Sequence, residues 1–148
     1  MPAALHPATR PERLPAPRLV GRPLATAAVV GLATLALGLH DPHVTGSWGL
    51  CPLRALTGLD CPACGGLRAV NDLAHLRIVE AFHSNALLVA LVPVLVAAWA
   101  WWAWQGAHGR SVRGPSGARA RALWWSLAGV VVAFTVFRNT PWGRSLWA

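Results

Sequence analysis

Three cysteines hold the chain's one concentrated store of reactive chemistry. Cys51, Cys61 and Cys64 are spaced C-x9-C-x2-C, and the sequence contains no other cysteine. The run Cys61-Pro62-Ala63-Cys64-Gly65-Gly66 reads as a tight turn entering a helix, because the apolar positions Leu67, Val70, Ala74, Ile78 and Ala81 then follow a helical period. Three chemistries suit this group. A C-x2-C pair at a helix start can exchange disulfides, since the positive helix end stabilises a thiolate. Cys51 would be its third partner, although no βαβ pattern of a thioredoxin-like unit surrounds it. CPxCG is also the shape of a zinc knuckle, and a closed structural zinc site takes four ligands. The cysteines supply three, and His75, on the polar side of the helix, is the expected fourth, ahead of His40, His43 and His83. In an oxidising compartment, finally, two cysteines can simply staple the loop while the third stays free or buried.

The wider pattern runs Cys51-Pro52, then Ala55-Leu56-Thr57-Gly58, then Cys61-Pro62-x-Cys64-Gly65-x-x-Arg68-Ala69, a helix, and Asn85 ahead of an apolar run. It resembles domain of unknown function 2752, a family of small bacterial membrane proteins. The resemblance covers about residues 48–104 and, weakly, the tail Arg138-Asn139-Thr140-Pro141-Trp142. Beside the cysteines, its motif residues are Pro52, Gly58, Pro62, Gly65, Arg68 and Asn85. It implies a multi-pass membrane protein with a motif-bearing loop, and no assigned activity. Leu76-Arg77 stands where the family often has a Gly-Asp turn, which removes the glycine that would break the helix there. From the residues themselves, Arg68 is expected to pair with Asp72 four positions on, and Asn85 to cap the following span.

The elements that must position these groups follow from composition. Of 148 residues, 55% are apolar and only 12% charged, against roughly a quarter charged in soluble domains. That excludes an acidic disordered chain, a fibrous repeat and a typical cytosolic enzyme. Uncharged apolar runs at about 24–40, 86–104 and 122–137 are long enough to cross a bilayer as helices. Pro23 suits a first helical turn, and Pro93 should kink the second span. Residues 1–23 hold six Pro and four Arg, a composition that favours a disordered arm over a packed one. A basic arm, a short apolar run and Ala36-Leu37-Gly38 also read, as a rival, like a cleavable signal peptide. The expected fold is an all-α integral membrane protein. Its arm is 1–23 and its membrane domain 24–148, with three transmembrane helices and an amphipathic interfacial helix in the cysteine-motif loop 48–85.

Orientation follows from arginine, the only basic side chain besides histidine. The arm and the loop after the second span carry four each; the first loop, residues 41–85, carries three, with four acids, and the tail two. Eight against five puts the N-terminus in the cytoplasm and the cysteine loop and C-terminus outside it, at the cell membrane. Trp99, Trp101, Trp102, Trp104, Trp124 and Trp125 then fall at one interface, and Trp48, Trp142 and Trp147 at the other, as amphipathic indoles do. Small residues repeat as Ala27, Gly31, Thr34, Gly38 and as Ala122, Ser126, Gly129, Ala133. These two faces suit close helix contact with each other, with a membrane-protein partner or with a second copy. The arginines flank apolar runs and form no aromatic-interleaved patch, so nucleic acid is not an expected partner. No phosphate loop with Lys and no Ser-His-Asp group occurs, and no span carries the charge of an ion-coupled transporter. The favoured expectation is a non-enzymatic structural or partner-binding membrane module. The alternative is thiol–disulfide redox or metal binding, zinc foremost, through Cys51, Cys61 and Cys64.

Overall fold

A computed structural model describes residues 16–44, 46–48 and 51–146 of the chain. The described residues are all-helical: α1 (Ala16–Leu39), α2 (Pro52–Thr57), α3 (Gly66–Ala74), α4 (Ile78–Ala107), α5 (Gly117–Arg138) and α6 (Pro141–Leu146). Three helices, Leu19–Leu39 within α1, α4 and α5, are long and apolar enough to cross a membrane. α1 starts earlier than the apolar run alone suggests. Residues 16–23 are helical, and Pro23 is buried inside the helix rather than in its first turn. The remainder of the arm, like Trp147, lies outside the described residues.

α1 packs against α4 and α3, with α3 also packed on α4. At one end of the bundle, Trp99 Nε1 donates to the Pro23 carbonyl at 3.1 Å. There Gly106 lets the Leu19 backbone approach so closely that a Cβ would lie 2.7 Å from its oxygen. At the other end sit α2, α3, the cysteine turn and the α5–α6 junction. The expected pairing of small-residue faces does not occur: open space stands over Gly31, Gly38 and Gly129. The close approaches fall instead at Gly106, Gly65 and Gly143.

Burial runs opposite to that of a water-soluble domain. Val29, Leu32, Trp124, Trp125 and Val132 are exposed, whereas Asn71, Asp72, Asn85 and Arg138 are buried. Exposed aliphatic helices around a polar interior are what a hydrocarbon solvent demands, because polar groups there must find their partners inside the protein. α3 carries the same inversion. Of its expected apolar side, Leu67 and Ala74 are exposed and Val70 is half-buried, while Ala69, Asn71 and Asp72 are the buried residues of the helix, which packs on α1 and α4.

Two breaks shape the helices. α4 would measure about 45 Å if it were continuous, well over a roughly 30 Å hydrocarbon core. Its backbone leaves helical angles at Asn85 (φ −163°, ψ 92°), so residues 86–107 form the span proper, while Pro93 keeps helical angles. Between α3 and α4 the chain turns at Leu76, which takes a left-handed backbone (φ 59°) where a glycine would be at ease. The helix therefore breaks there without glycine. The turn is held by Arg77 N–H donating to the Asp72 carbonyl at 2.8 Å and by the Leu76 N–H donating to Leu73 at 3.0 Å.

Leu76 is 83% exposed and has little packing to lose. A left-handed conformation costs an L-residue about 1–2 kcal/mol. Leu76→Gly should therefore raise the thermal midpoint of the detergent-solubilised protein by a few degrees, whereas Leu76→Ala should not. Equal midpoints for the two variants would show that this turn holds no backbone strain.

Candidate functional site

The site is built on a turn fixed from both sides. Cys51 precedes α2, whose first residue is Pro52, and Gly58 ends that helix in a left-handed conformation (φ 70°) with its N–H on the Arg54 carbonyl. The chain then passes Leu59 and Asp60 into Cys61-Pro62-Ala63-Cys64. Gly65, also left-handed (φ 75°), starts α3. No other residue fits at that position, because a Cβ would overlap the Ser84 carbonyl.

Asn85 ties this turn to the second span. Its Nδ2 donates to the carbonyls of Pro62 (2.9 Å) and Cys64 (3.1 Å), and its Oδ1 accepts the N–H of Leu88 at 3.0 Å. That last bond is the cap expected of it; the two to the cysteine turn are not evident from the sequence. In an unbroken helix the Leu88 N–H would use the Ser84 carbonyl. Here that carbonyl accepts a hydrogen bond from Arg138 Nη2, at the end of α5, at 3.4 Å.

α5 contributes a second clamp. Asn139 accepts the Asp60 N–H through Oδ1 and donates from Nδ2 to the Asp60 carbonyl, both at 2.9 Å, so one side chain pairs with a backbone as a neighbouring strand would. The Asp60 carboxylate meets Arg54 at 3.2 Å and Arg138 at 3.9 Å. A third polar group orders α3. The buried Asp72 carboxylate accepts from His43 Nε2 (3.0 Å), Arg77 Nη2 (2.8 Å) and Ser84 Oγ (2.9 Å). The expected Arg68–Asp72 pair is replaced, and Arg68 donates instead to the Pro42 carbonyl at 3.3 Å. Asn71 reaches the Leu37 carbonyl at 2.7 Å, satisfying one of the acceptors left open at the end of α1.

Held this way, the three sulfurs converge. Cys61 and Cys64 Sγ are 2.9 Å apart, Cys51 and Cys61 Sγ 3.5 Å, and all three lie within 4.8 Å of one another as free thiols. The Cys61 N–H donates to Cys64 Sγ at 3.2 Å. The backbone N–H of Arg54, and after it the thiols of Cys64 and Cys61, hold Cys51 below the ordinary cysteine range. Burial, reinforced by the neighbouring Cys61, pushes the Cys64 thiol up to about 12. His75 is not among the converging groups: its Nδ1 hydrogen-bonds the Asn71 carbonyl at 2.9 Å. Among the described residues no histidine or carboxylate joins the three sulfurs. The reason is that α3 turns its Asn71–Asp72 face inward and leaves His75 exposed at its C-terminus.

Pattern reading misses Asp60 and Ser84 as site residues, and it names Asp72, Arg138 and Asn139 only as a helix pair and a weak tail match. Their available signal was rarity: in a chain with five acidic residues, two of them become partners of the motif loop. Residues 51–99 match the model of the family described as protein of unknown function (DUF2752), the family the motif resembles. The matched stretch opens on Cys51 and includes all three cysteines, Asn85 and most of α4; the Arg138–Asn139 clamp lies beyond it. No curated protein and no solved structure matches the chain.

Alkylation at neutral pH should modify Cys51 first and Cys64 last. A thiol at about 12 holds roughly a thousandfold less thiolate than an ordinary one. Peptide mapping against time reads the order, and early labelling of Cys64 would show that its burial is not maintained. Asn85→Leu removes a cap and strands two turn carbonyls, for a loss of about 3 kcal/mol. It should lower the unfolding midpoint and speed Cys64 alkylation together; an unchanged rate would deny that Asn85 holds the turn.

Proposed function

We propose that this chain is a multi-pass membrane protein whose function resides in a three-thiolate centre that binds a soft metal ion, zinc being the reference case. The observation that carries the reading is the convergence of Cys51, Cys61 and Cys64 within 4.8 Å at the end of a helical bundle. Sulfurs around a zinc ion bound at about 2.3 Å lie about 3.8 Å apart. The separations of 2.9 and 3.5 Å need only small side-chain rotations to reach that. Backbone N–H groups aimed at Cys64 and Cys51 supply the partners that thiolates require. A purely structural or partner-binding loop does not require three sulfurs to meet, and this is why the thiol reading now stands ahead of it.

A second reading has its own observation. At 2.9 Å, Cys61 and Cys64 Sγ need to close by less than 1 Å to reach a disulfide bond of about 2.05 Å. A disulfide and a filled metal site exclude one another at these atoms, so one measurement separates them.

The arginine distribution supports placing the cysteine end outside the cytoplasm. Retention of α1 is supported by the bonds that Asn71 and Trp99 make to its carbonyls, which cleavage of the span would forfeit.

Reduced full-length protein in detergent should bind one equivalent of zinc. Each of Cys51→Ser, Cys61→Ser and Cys64→Ser should weaken binding by more than roughly 100-fold, beyond the cost of altering outer hydrogen-bond partners. Affinity should fall as pH falls, because binding displaces thiol protons. Protein that is two protons lighter and indifferent to zinc would establish the disulfide reading instead. In intact cells, an impermeant maleimide should reach the metal-stripped cysteines; labelling only after lysis would reverse the proposed orientation.

A further inference from the structure

We infer that the metal centre keeps an open fourth position, filled from outside the chain by the sulfur of a small thiol. The inference rests on the three-thiolate reading and extends it from the metal to its exchangeable ligand.

The first support is that, among the described residues, no fourth protein donor joins the three converging sulfurs. Structural zinc sites close with four protein ligands, whereas sites that exchange a ligand keep three and leave one position open. Among the described residues, only Cys51, Cys61 and Cys64 converge. Asp60, next to Cys61 in sequence, is the nearest carboxylate along the chain. Its backbone is clamped by Asn139 and its carboxylate engaged by Arg54 and Arg138, so it cannot turn inward without breaking those bonds. His43 is committed to Asp72 and His75 to the Asn71 carbonyl. His108 follows α4 at the opposite end of the bundle.

The second support is the way the sulfurs are presented. Cys64 is buried, whereas Cys51 and Cys61 are each partly exposed, so the cluster opens on their side. Arg54, three residues past Cys51, is largely exposed on that rim, 3.2 Å from the Asp60 carboxylate. Arg138 is buried, so the exposed charge there is the single Arg54–Asp60 pair, and the choice of incoming donor rests on the metal's existing ligands. Sulfur suits a metal already bound by sulfur, and a small thiol binding as thiolate supplies it. In the binding step the thiol's S–H bond breaks, its proton goes to solvent, and a metal–sulfur bond forms. No electron is exchanged.

Cobalt(II) loaded into the reduced full-length protein in detergent reports both metal and ligand, through its sulfur-to-metal charge-transfer and visible ligand-field bands. The expected result is a charge-transfer spectrum lost in Cys64→Ser, whose ligand-field bands shift saturably on adding 2-mercaptoethanol. His75→Ala should leave the spectrum and the shift unchanged. A thiolate–cobalt spectrum indifferent to excess 2-mercaptoethanol would mean that the position is closed, and would overturn the inference while leaving the three-thiolate reading intact. Loss of the bands in His75→Ala would overturn it as well, by making His75 the fourth ligand. Absence of any thiolate–cobalt band would instead defeat the three-thiolate reading itself.

Discussion

The carboxamide of Asn85 does three things at one point. It caps the span 86–107, ends the upstream helix, and fastens the cysteine turn through two carbonyls. Each of its bonds satisfies a group that would otherwise be stranded, and stranding is costly where water is scarce. The turn and the start of the span are therefore one mechanical unit. The Ser84 carbonyl released by the break is taken up by Arg138, and Arg138 and Asn139 together bring the end of α5 onto the same turn. The sulfurs converge because three separate segments are pinned to one another by side-chain-to-backbone bonds.

This economy follows from the solvent. In a bilayer the apolar surface of α1, α4 and α5 gains nothing by packing, since lipid chains are as apolar as leucine. Specificity has to come from polar groups, and the buried side chains Asn71, Asp72, Asn85 and Arg138 are polar for that reason. The bonds concentrate at the cysteine end, and the other end is held by fewer and simpler contacts: Trp99 on Pro23, and Gly106 against Leu19. The half of α5 that precedes Val131 is almost wholly exposed. The architecture is rigid where the thiols sit and loosely packed elsewhere.

Much of this was legible in the sequence, and the remainder was hidden for physical reasons. The three apolar runs fix the long helices because length and hydropathy are local properties. Asn85 reads as a cap because Asn ahead of an apolar run has few other uses. Its donation to Pro62 and Cys64 is tertiary and leaves no local trace. The periodicity of α3 is real, but the side it buries carries Ala69, Asn71 and Asp72, so Arg68 loses its expected partner and His75 stays outside the sulfur cluster. Leu76 breaks the helix without glycine because bonds from the following residues hold the turn. The small-residue face of α1 does lie on its more buried side, at Ala27, Thr34 and Gly38, but that of α5 is exposed, so the two do not meet.

Everything chemical about the chain reduces to whether three sulfurs act as one ligand set. X-ray absorption at the zinc edge of the metal-loaded full chain measures that directly. The account predicts a first shell containing three or four sulfurs at about 2.3 Å. A shell of nitrogen and oxygen alone, or one with a single sulfur, would contradict it.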